Sequence, residues 1–402
     1  MTYREAIDWL YSTQMFGIKL GLDGPRRLLR EFLAFPSHGV KVIQVAGTNG
    51  KGSVCAFADS LARSCGWRTG LFTSPHLVDY RERIQVSGAM IPEHVCADYL
   101  TQLREISESL PANEHPTFFE ITLACAMRYF RESGCEVIIL EVGMGGRLDA
   151  TTAVPSDVSV ITPIALDHTK WLGETHAEIA LEKAGIMREG VPVFSAKQVP
   201  EAGEVIKKEA NQTRSPLEFV TEPTLSYGLG LPGPHQRENA SLALSALHAL
   251  NAPLSFDAVK DGLKAARHPG RFEEIRPGLI VDAAHNPHAA ESLVATWKQR
   301  FGEKKARLVF GAVEDKEVGQ VLSLLEEIIS EIIFVPVNSQ RGLPPESLLP
   351  LTTLPSQAFG TLGEAIESLE GEASPVLLTG SLFLVGEAKA LLENGLHRTS
   401  EQ

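Results

Sequence analysis

Residues 42–61 run as an apolar strand, a glycine-rich turn and a helical pattern with nothing between them. Val42-Ile43-Gln44-Val45-Ala46 leads into Gly47-Thr48-Asn49-Gly50-Lys51-Gly52-Ser53, after which Val54, Phe57, Ala58 and Leu61 recur at helical spacing. This order commits the chain to an α/β fold and is the setting in which a loop holds phosphate. Glycines let backbone N–H groups converge on anionic oxygens, and the helix N-terminus adds favourable partial charge. Lys51 supplies a full positive charge, and Ser53 a hydroxyl suited to magnesium. The usual phosphate-loop spacing is G-x-x-x-x-G-K-[ST]. This loop departs from it twice: Ala46 takes the first glycine position, and Gly52 separates Lys51 from Ser53.

The chain has 402 residues, enough for two domains with a sizeable core each. With 44% hydrophobic and 22% charged residues it is too apolar for a disordered chain. A formal net charge of -13 argues against non-specific nucleic-acid binding. It leaves anionic ligands open, because the field inside a cleft is set locally. The five cysteines (Cys55, Cys65, Cys96, Cys125, Cys135) are scattered and odd in number, which points to buried thiols in a reducing compartment. No apolar run approaches membrane-spanning length, and the N-terminal residues lack a signal region. A cytoplasmic protein is expected.

Helices are expected over residues 3–12, 24–35 (through Leu28, Leu29, Phe32 and Leu33), 93–109, 118–132, 177–187 and 236–251, with strands at 69–72, 137–142, 158–162 and 191–194. Residues 17–22 read as a loop, and the region from the end of the 191–194 strand to about residue 230 carries no clear pattern. After His268-Pro269-Gly270-Arg271 the alternation restarts. Strands are expected at 279–282, 307–310, 332–335 and 376–379, and helices at 287–300, 317–329, 362–369 and 381–393. The expected architecture is an N-terminal P-loop ATPase domain with a mostly parallel sheet, residues 1–268, and a smaller Rossmann-like α/β domain, residues 269–402.

Ligands of open α/β sheets bind at the carboxyl ends of the strands. Three such ends of the first domain present polar groups. Ser74 lies in Thr73-Ser74-Pro75-His76-Leu77, Glu141 closes an apolar run, and His168 follows Leu166-Asp167. A buried strand delivering a carboxylate is what a P-loop enzyme uses to hold magnesium, although a strand-end acid can equally sit in a salt bridge. A lone histidine is usually structural, and magnesium prefers oxygen. Gly143-Met144-Gly145-Gly146-Arg147-Leu148-Asp149-Ala150-Thr151 is a second glycine-rich loop placed directly after a strand. Lys183, in Glu182-Lys183-Ala184-Gly185-Ile186, reads by itself as a surface lysine. In Asp282-Ala283-Ala284-His285-Asn286-Pro287-His288, Asn286 as N-cap and Pro287 at the first helical position explain themselves structurally. Asp282 and His285 do not, and they sit at a strand end facing a domain crevice.

Taken in order, these motifs resemble folylpolyglutamate synthases and dihydrofolate synthases, members of the Mur-ligase-like ATP-dependent amide ligases. The resemblance runs from Gly47–Ser53 through Thr73–Leu77 with Arg81–Ile84, Glu141–Thr151, Leu166–Thr169, Glu182–Ile186, His235-Gln236 with Asn239-Ala240, and Pro269–Phe272 to Asp282–Pro287. It implies that Thr48, Asn49, Gly50, Lys51, Gly52 and Ser53 hold the ATP phosphates and that Asn239 contacts adenine. It implies magnesium ligands at Ser74, Glu141 and His168, and a carbamylated Lys183 beside them. Arg271, Asp282 and His285 would complete the ATP and glutamate site from the second domain. The pteroate pocket would be formed by Lys19, Leu20, Gly21, Leu22, Thr117, Phe118, Phe119, Glu120, Leu148, Asp149 and Ala150.

The implied chemistry is phosphorylation of a carboxylate by ATP, followed by attack of the glutamate amine on the acyl phosphate. Lys51, magnesium and Arg271 spread the developing charge, and His285 positions or accepts the amine proton. Implied partners are ATP, L-glutamate and dihydropteroate or a reduced folate, acting on a monomer with no nucleic acid or membrane. The segments Thr117–Glu120 and Leu148–Ala150 look like those of bifunctional members. Lys170 stands where such members often carry an acid. A muramyl ligase shares the ATP chemistry but usually has a further domain before the phosphate loop. A switch GTPase or motor ATPase would lack Asp282 and His285 in a second domain, and a small-molecule kinase would stop at the phosphorylated product.

Overall fold

The computed structural model describes residues 1–17, 19, 21–221, 228–314, 316–369 and 374–392. Its first sheet is built from β1 (Lys41–Ala46), β2 (Thr69–Phe72), β3 (Ile84–Val86), β4 (Ala89–Met90), β5 (Val137–Glu141), β6 (Val158–Ile161), β7 (Val193–Ser195) and β8 (Leu217–Phe219). The order is β4-β3-β2-β5-β1-β6-β7-β8, and only β3 and β4 run antiparallel to their neighbours. All of β5 is buried, as a parallel strand covered on both faces must be. Its side chains alternate between two cores. Ile138 and Leu140 pack with Phe118, Phe130 and Leu28 under the helices of one face. Val137 and Ile139 pack with Phe57, Leu61 and Leu247 under the helices Lys51–Ser64 and Gln236–Ala249 of the other.

The second sheet comprises β9 (Glu273–Arg276), β10 (Leu279–Val281), β11 (Ala306–Phe310), β12 (Ile329–Phe334), β13 (Ser356–Ala358) and β14 (Val376–Thr379), ordered β13-β12-β11-β14-β10-β9. Only the β9 edge is antiparallel. In both sheets the strand order reverses near the centre, β5-β1-β6 in one and β11-β14-β10 in the other. Those reversals open crevices at the carboxyl ends of the strands.

Several expected elements shift. The helix expected over 24–35 is Asp23–Glu31, and Leu33, expected on its face, is 59% exposed with φ 51°. The helix expected over 317–329 ends at Leu325, and Ile329 opens β12. Val321, Leu322, Leu325, Ile328 and Ile329 keep helical spacing across the boundary, so periodicity does not reveal where the helix hands over to the strand. The patternless region holds the helix Pro200–Gln212 and β8. The short strands β3, β4, β9 and β13 and the helix Phe256–Ala265 have no counterpart in the pattern reading.

Candidate active site

One cavity of about 640 Å³ lies where the carboxyl ends of both sheets face each other. Val45 pairs with Glu141 in the β1–β5 ladder, so the phosphate loop and the carboxylate leave the sheet side by side. Glu141 is buried, and its Oε2 accepts a hydrogen bond from the backbone N–H of Ser74 at 3.1 Å. Burial raises its pKa, opposed by Lys51, that N–H and Arg271. Ser74, Glu141 and His168 all line the cavity. Desolvation within the cleft pushes the His168 imidazole down to about 4, although the residue as a whole is exposed, so it stands neutral with one ring-nitrogen lone pair to offer. The described residues contain no cluster of three acidic, histidine or cysteine donors. A single buried carboxylate with a hydroxyl and a neutral imidazole suits a cation that takes its remaining ligands from water and phosphate, as magnesium does.

The phosphate loop is narrower than its sequence suggests. The N–H groups of Thr48 and Asn49 are donated to the Pro163 carbonyl, at 3.0 and 3.4 Å. The Thr48 hydroxyl bonds to Ala165, and the Asn49 side chain reaches Asn286 and His288. The donors left for an anion are the first-turn N–H groups of the helix that starts at Lys51, which no helix can satisfy internally. Ser53 is buried and accepts from Gln236, which in turn accepts from Asn239. A Cβ on Gly52 would lie 2.5 Å from the His268 ring, so a larger residue there has to displace that side chain.

Lys183 corrects the surface reading. It is 5% exposed, and its Nζ donates to the Gly47 carbonyl at 2.9 Å. Lys51 Nζ donates to the same oxygen at 3.1 Å. Burial, with the Lys51 charge second, pushes Lys183 down to about 7. The second glycine-rich loop makes this burial possible. A Cβ on Gly146 would stand 2.7 and 2.8 Å from the carbonyl oxygens of Glu182 and Lys183, so loop and helix meet backbone to backbone.

The pteroate candidates divide. Lys19, Gly21, Thr117, Phe119, Glu120, Leu148, Asp149 and Ala150 line the cavity. Phe118 does not: it is fully buried, edge-on to Tyr11 and Tyr80 with Arg83 over its ring, because its helical position faces the core. Leu22 lies outside the lining, half-buried as the helix N-cap, and Leu20 falls outside the described residues. Thr117 and Glu120 form a reciprocal capping box, which commits much of their hydrogen-bonding capacity to the helix Phe118–Glu132. The Asp149 carboxylate takes the N–H groups of Gly143, Met144 and Thr151, folding its own loop. Lys19 Nζ donates to the carbonyls of Asn113 and His115.

From the second sheet, Arg271, Asp282 and His285 reach the cavity. Asp282 accepts from Phe272 and Ala284 N–H, and burial raises its pKa, with Arg271 opposing. Lys316, Arg341 and Ser381 also line the cavity and have no place in the sequence reading. Lys316 and Ser381 follow β11 and β14, so the strand-end rule applied to the second sheet would have found them. Trp171, 56% exposed, lines the same cavity beside Lys170.

Residues 45–212 match the model of the Mur ligase middle domain, and residues 270–382 that of the Mur ligase glutamate ligase domain. The dihydrofolate synthase/folylpolyglutamate synthase of Bacillus subtilis is 34% identical over 427 residues, covering 97% of this chain and 99% of the relative. The chain belongs to the folylpolyglutamate and dihydrofolate synthase family of Mur ligases. It is an ATP-dependent ligase that adds glutamate to folates. The fold agrees. Escherichia coli FolC, solved in complex with DHPP and ADP, superposes with a TM-score of 0.87 at 31% identity, covering 97% of this chain and 98% of that one. A bifunctional folylpolyglutamate synthase/dihydrofolate synthase solved with Mn, AMPPNP and L-glutamate gives 0.85 at 33% identity, covering 96% and 98%. In this ligase the phosphate loop, the strand-end carboxylate and the second-sheet cations therefore open on one substrate space.

Proposed function

We propose that this ligase performs both the dihydrofolate synthase and the folylpolyglutamate synthase reactions, and that residues 1–268 and 269–402 each supply one side of the site. The observation that carries this is the continuity of the cavity from Lys19, Phe119 and Leu148 past Lys51 to Lys316, Arg341 and Ser381. An extended acceptor lies at one end and an amino acid at the other. A magnesium ion held by Ser74, Glu141 and His168 would supply charge neutralisation between the terminal phosphates.

A carboxylate oxygen of the acceptor forms a bond to the γ-phosphorus, and the bond to the β-phosphate bridging oxygen breaks. Lys51 and Arg271 face the charge that spreads over the γ-oxygens. The deprotonated glutamate amine then forms the C–N bond as the bond from the acyl carbon to the phosphate oxygen breaks, and the departing phosphate carries off the proton the nitrogen must lose. Arg341, with its fixed fork of donors, and the Ser381 hydroxyl are suited to a carboxylate of the incoming glutamate. His285 serves this step by position. Its Nδ1 faces the Ala283 carbonyl at 2.9 Å and its Nε2 the Asp167 carboxylate at 3.3 Å.

Lys183 is carbamylated in this reading: its amine adds to CO2, loses a proton and becomes an anion beside Lys51. A neutral amine is the reactive form, and a pKa near 7 supplies it. The setting is the cytoplasm, supported by five free cysteines, four of them buried. No helix among the described residues is long and apolar enough to cross a membrane. The test is ATP turnover with dihydropteroate, tetrahydrofolate or a muramyl nucleotide as acceptor, each with and without glutamate. Amide product from both folate acceptors is expected. Product from only one removes bifunctionality, and product from the muramyl nucleotide alone replaces the folate reading.

A further inference from the structure

Asp167 lies in the segment after β6, between Ala165, which is tied to Thr48, and His168. Its Oδ1 accepts from Lys316 Nζ at 2.6 Å and from the backbone N–H of His168 at 2.9 Å. Its Oδ2 faces His285 Nε2 at 3.3 Å and Asn286 Nδ2 at 3.2 Å. Three of these four donors come from the second sheet's loops. The Asp167 and Lys316 side chains are 9% and 14% exposed. Asn286 carries the contact onward: it exchanges hydrogen bonds with Asn49 of the phosphate loop at 3.1 and 3.2 Å while capping the helix Pro287–Phe301.

A carboxylate offers about four lone-pair directions, and here four donors fill them. Asp167 thus has no capacity left for a substrate. What remains is geometry. Lys316 and His285 border the space where the amine must arrive, and Asp167 sets their distance from the phosphate loop.

We propose that Asp167 is a positioning residue for amide formation, a carboxylate from the first half of the site that gathers Lys316, His285 and Asn286 from the second and so fixes the register in which acyl phosphate and amine meet. This rests on the ligase reading above. Without the contact the halves still bind their own ligands. The acyl phosphate then waits longer for the amine, and water competes for it.

The experiment uses the full chain and four variants: Asp167→Asn, Asp167→Ala, Lys316→Met and the double Asp167→Ala/Lys316→Met. Phosphate released per amide formed, and the KM values for glutamate and ATP, are measured for each, with small-angle scattering of the same samples. Asp167→Ala should raise the glutamate KM or the phosphate-to-amide ratio by about 30-fold, the loss typical of truncating one partner of a buried charge pair. The ATP KM should stay within about threefold. The double variant should be no worse than the poorer single one, and the isosteric Asp167→Asn, which keeps an acceptor for Lys316, should be milder. The proposal falls if the two single effects multiply, or if kcat drops while one phosphate still accompanies each amide. Should wild type form no amide with any folate acceptor, the functional reading fails separately. The scattering then decides alone: an expanded profile for Asp167→Ala supports the contact as the tie between the halves, and a profile identical to wild type rejects it.

Discussion

The molecule has two glycine-rich loops, each leaving a buried parallel strand, and they use their glycines for opposite ends. Gly47–Ser53 opens a helix of fourteen residues whose first-turn N–H groups point outward for an anion. Gly143–Thr151 opens only the short turn Ala150–Ala153, and its N–H groups at Gly143 and Met144 are already taken by Asp149. The second loop is a packing surface. It lies against the backbone of Glu182 and Lys183 and thereby buries the lysine that the first loop needs as a neighbour. Glycine content after a strand does not separate the two cases. The length of the helix downstream of the loop does.

The strongest test of the contrast is Lys51→Ala. Removing the loop's cation should lower amide formation by about 10²–10³-fold, as loss of one preorganised transition-state partner does, with the melting temperature little changed. Gly146→Ala should behave the other way. Its Cβ meets immovable backbone oxygens, so a stability loss of about 1–3 kcal/mol is expected in thermal unfolding. A Gly146→Ala protein with wild-type stability would erase the distinction. Gly52→Ala probes the border between the two roles. The clash is with a side chain, His268, which can move, so the ATP KM should rise by about tenfold or less, and His268→Ala in the same chain should restore it. The smallest effect expected is with pH. Because Lys183 is pushed down to about 7, its amine is mostly protonated below that value and mostly neutral above it. At limiting bicarbonate, activity should therefore rise about fourfold from pH 6.5 to 8. Bicarbonate-independent activity over that range would remove the carbamate.

Much of the fold was legible because buried parallel strands are short apolar runs ending in polar loops, as at Val137–Glu141 and Val158–Ile161. Legibility failed where helical spacing of apolar residues continues from one element into the next, as from Leu325 to Ile328 and Ile329, and where the pattern is too short to register, as in β3 and β4. In the site, Glu141, Lys51 and His285 were readable from strand ends. Lys183 was readable only by resemblance, since its burial depends on a loop nearly forty residues earlier in the chain. Asp167 stands in a motif, but its role was not legible there: its three side-chain partners lie 118 to 149 residues away. Thr117 and Glu120 show the converse. Their spacing is that of a capping box, and the structure puts them to that use at the cavity wall.

The Gly47 carbonyl holds two ammonium groups at once, from Lys51 and Lys183. Such an arrangement is frustrated: each cation makes the other's bond worse, and any anion entering between them relaxes it. The two anions available compete in sequence. A triphosphate arriving first would favour the charged amine of Lys183 and so close it to CO2. CO2 arriving first would convert that lysine into the proposed carbamate and leave Lys51 undivided for the nucleotide. With that carbamate in place, the shared oxygen would impose a history on the enzyme, in which maturation precedes the first turnover. Saturating nucleotide added before bicarbonate should slow the onset of activity relative to the reverse order.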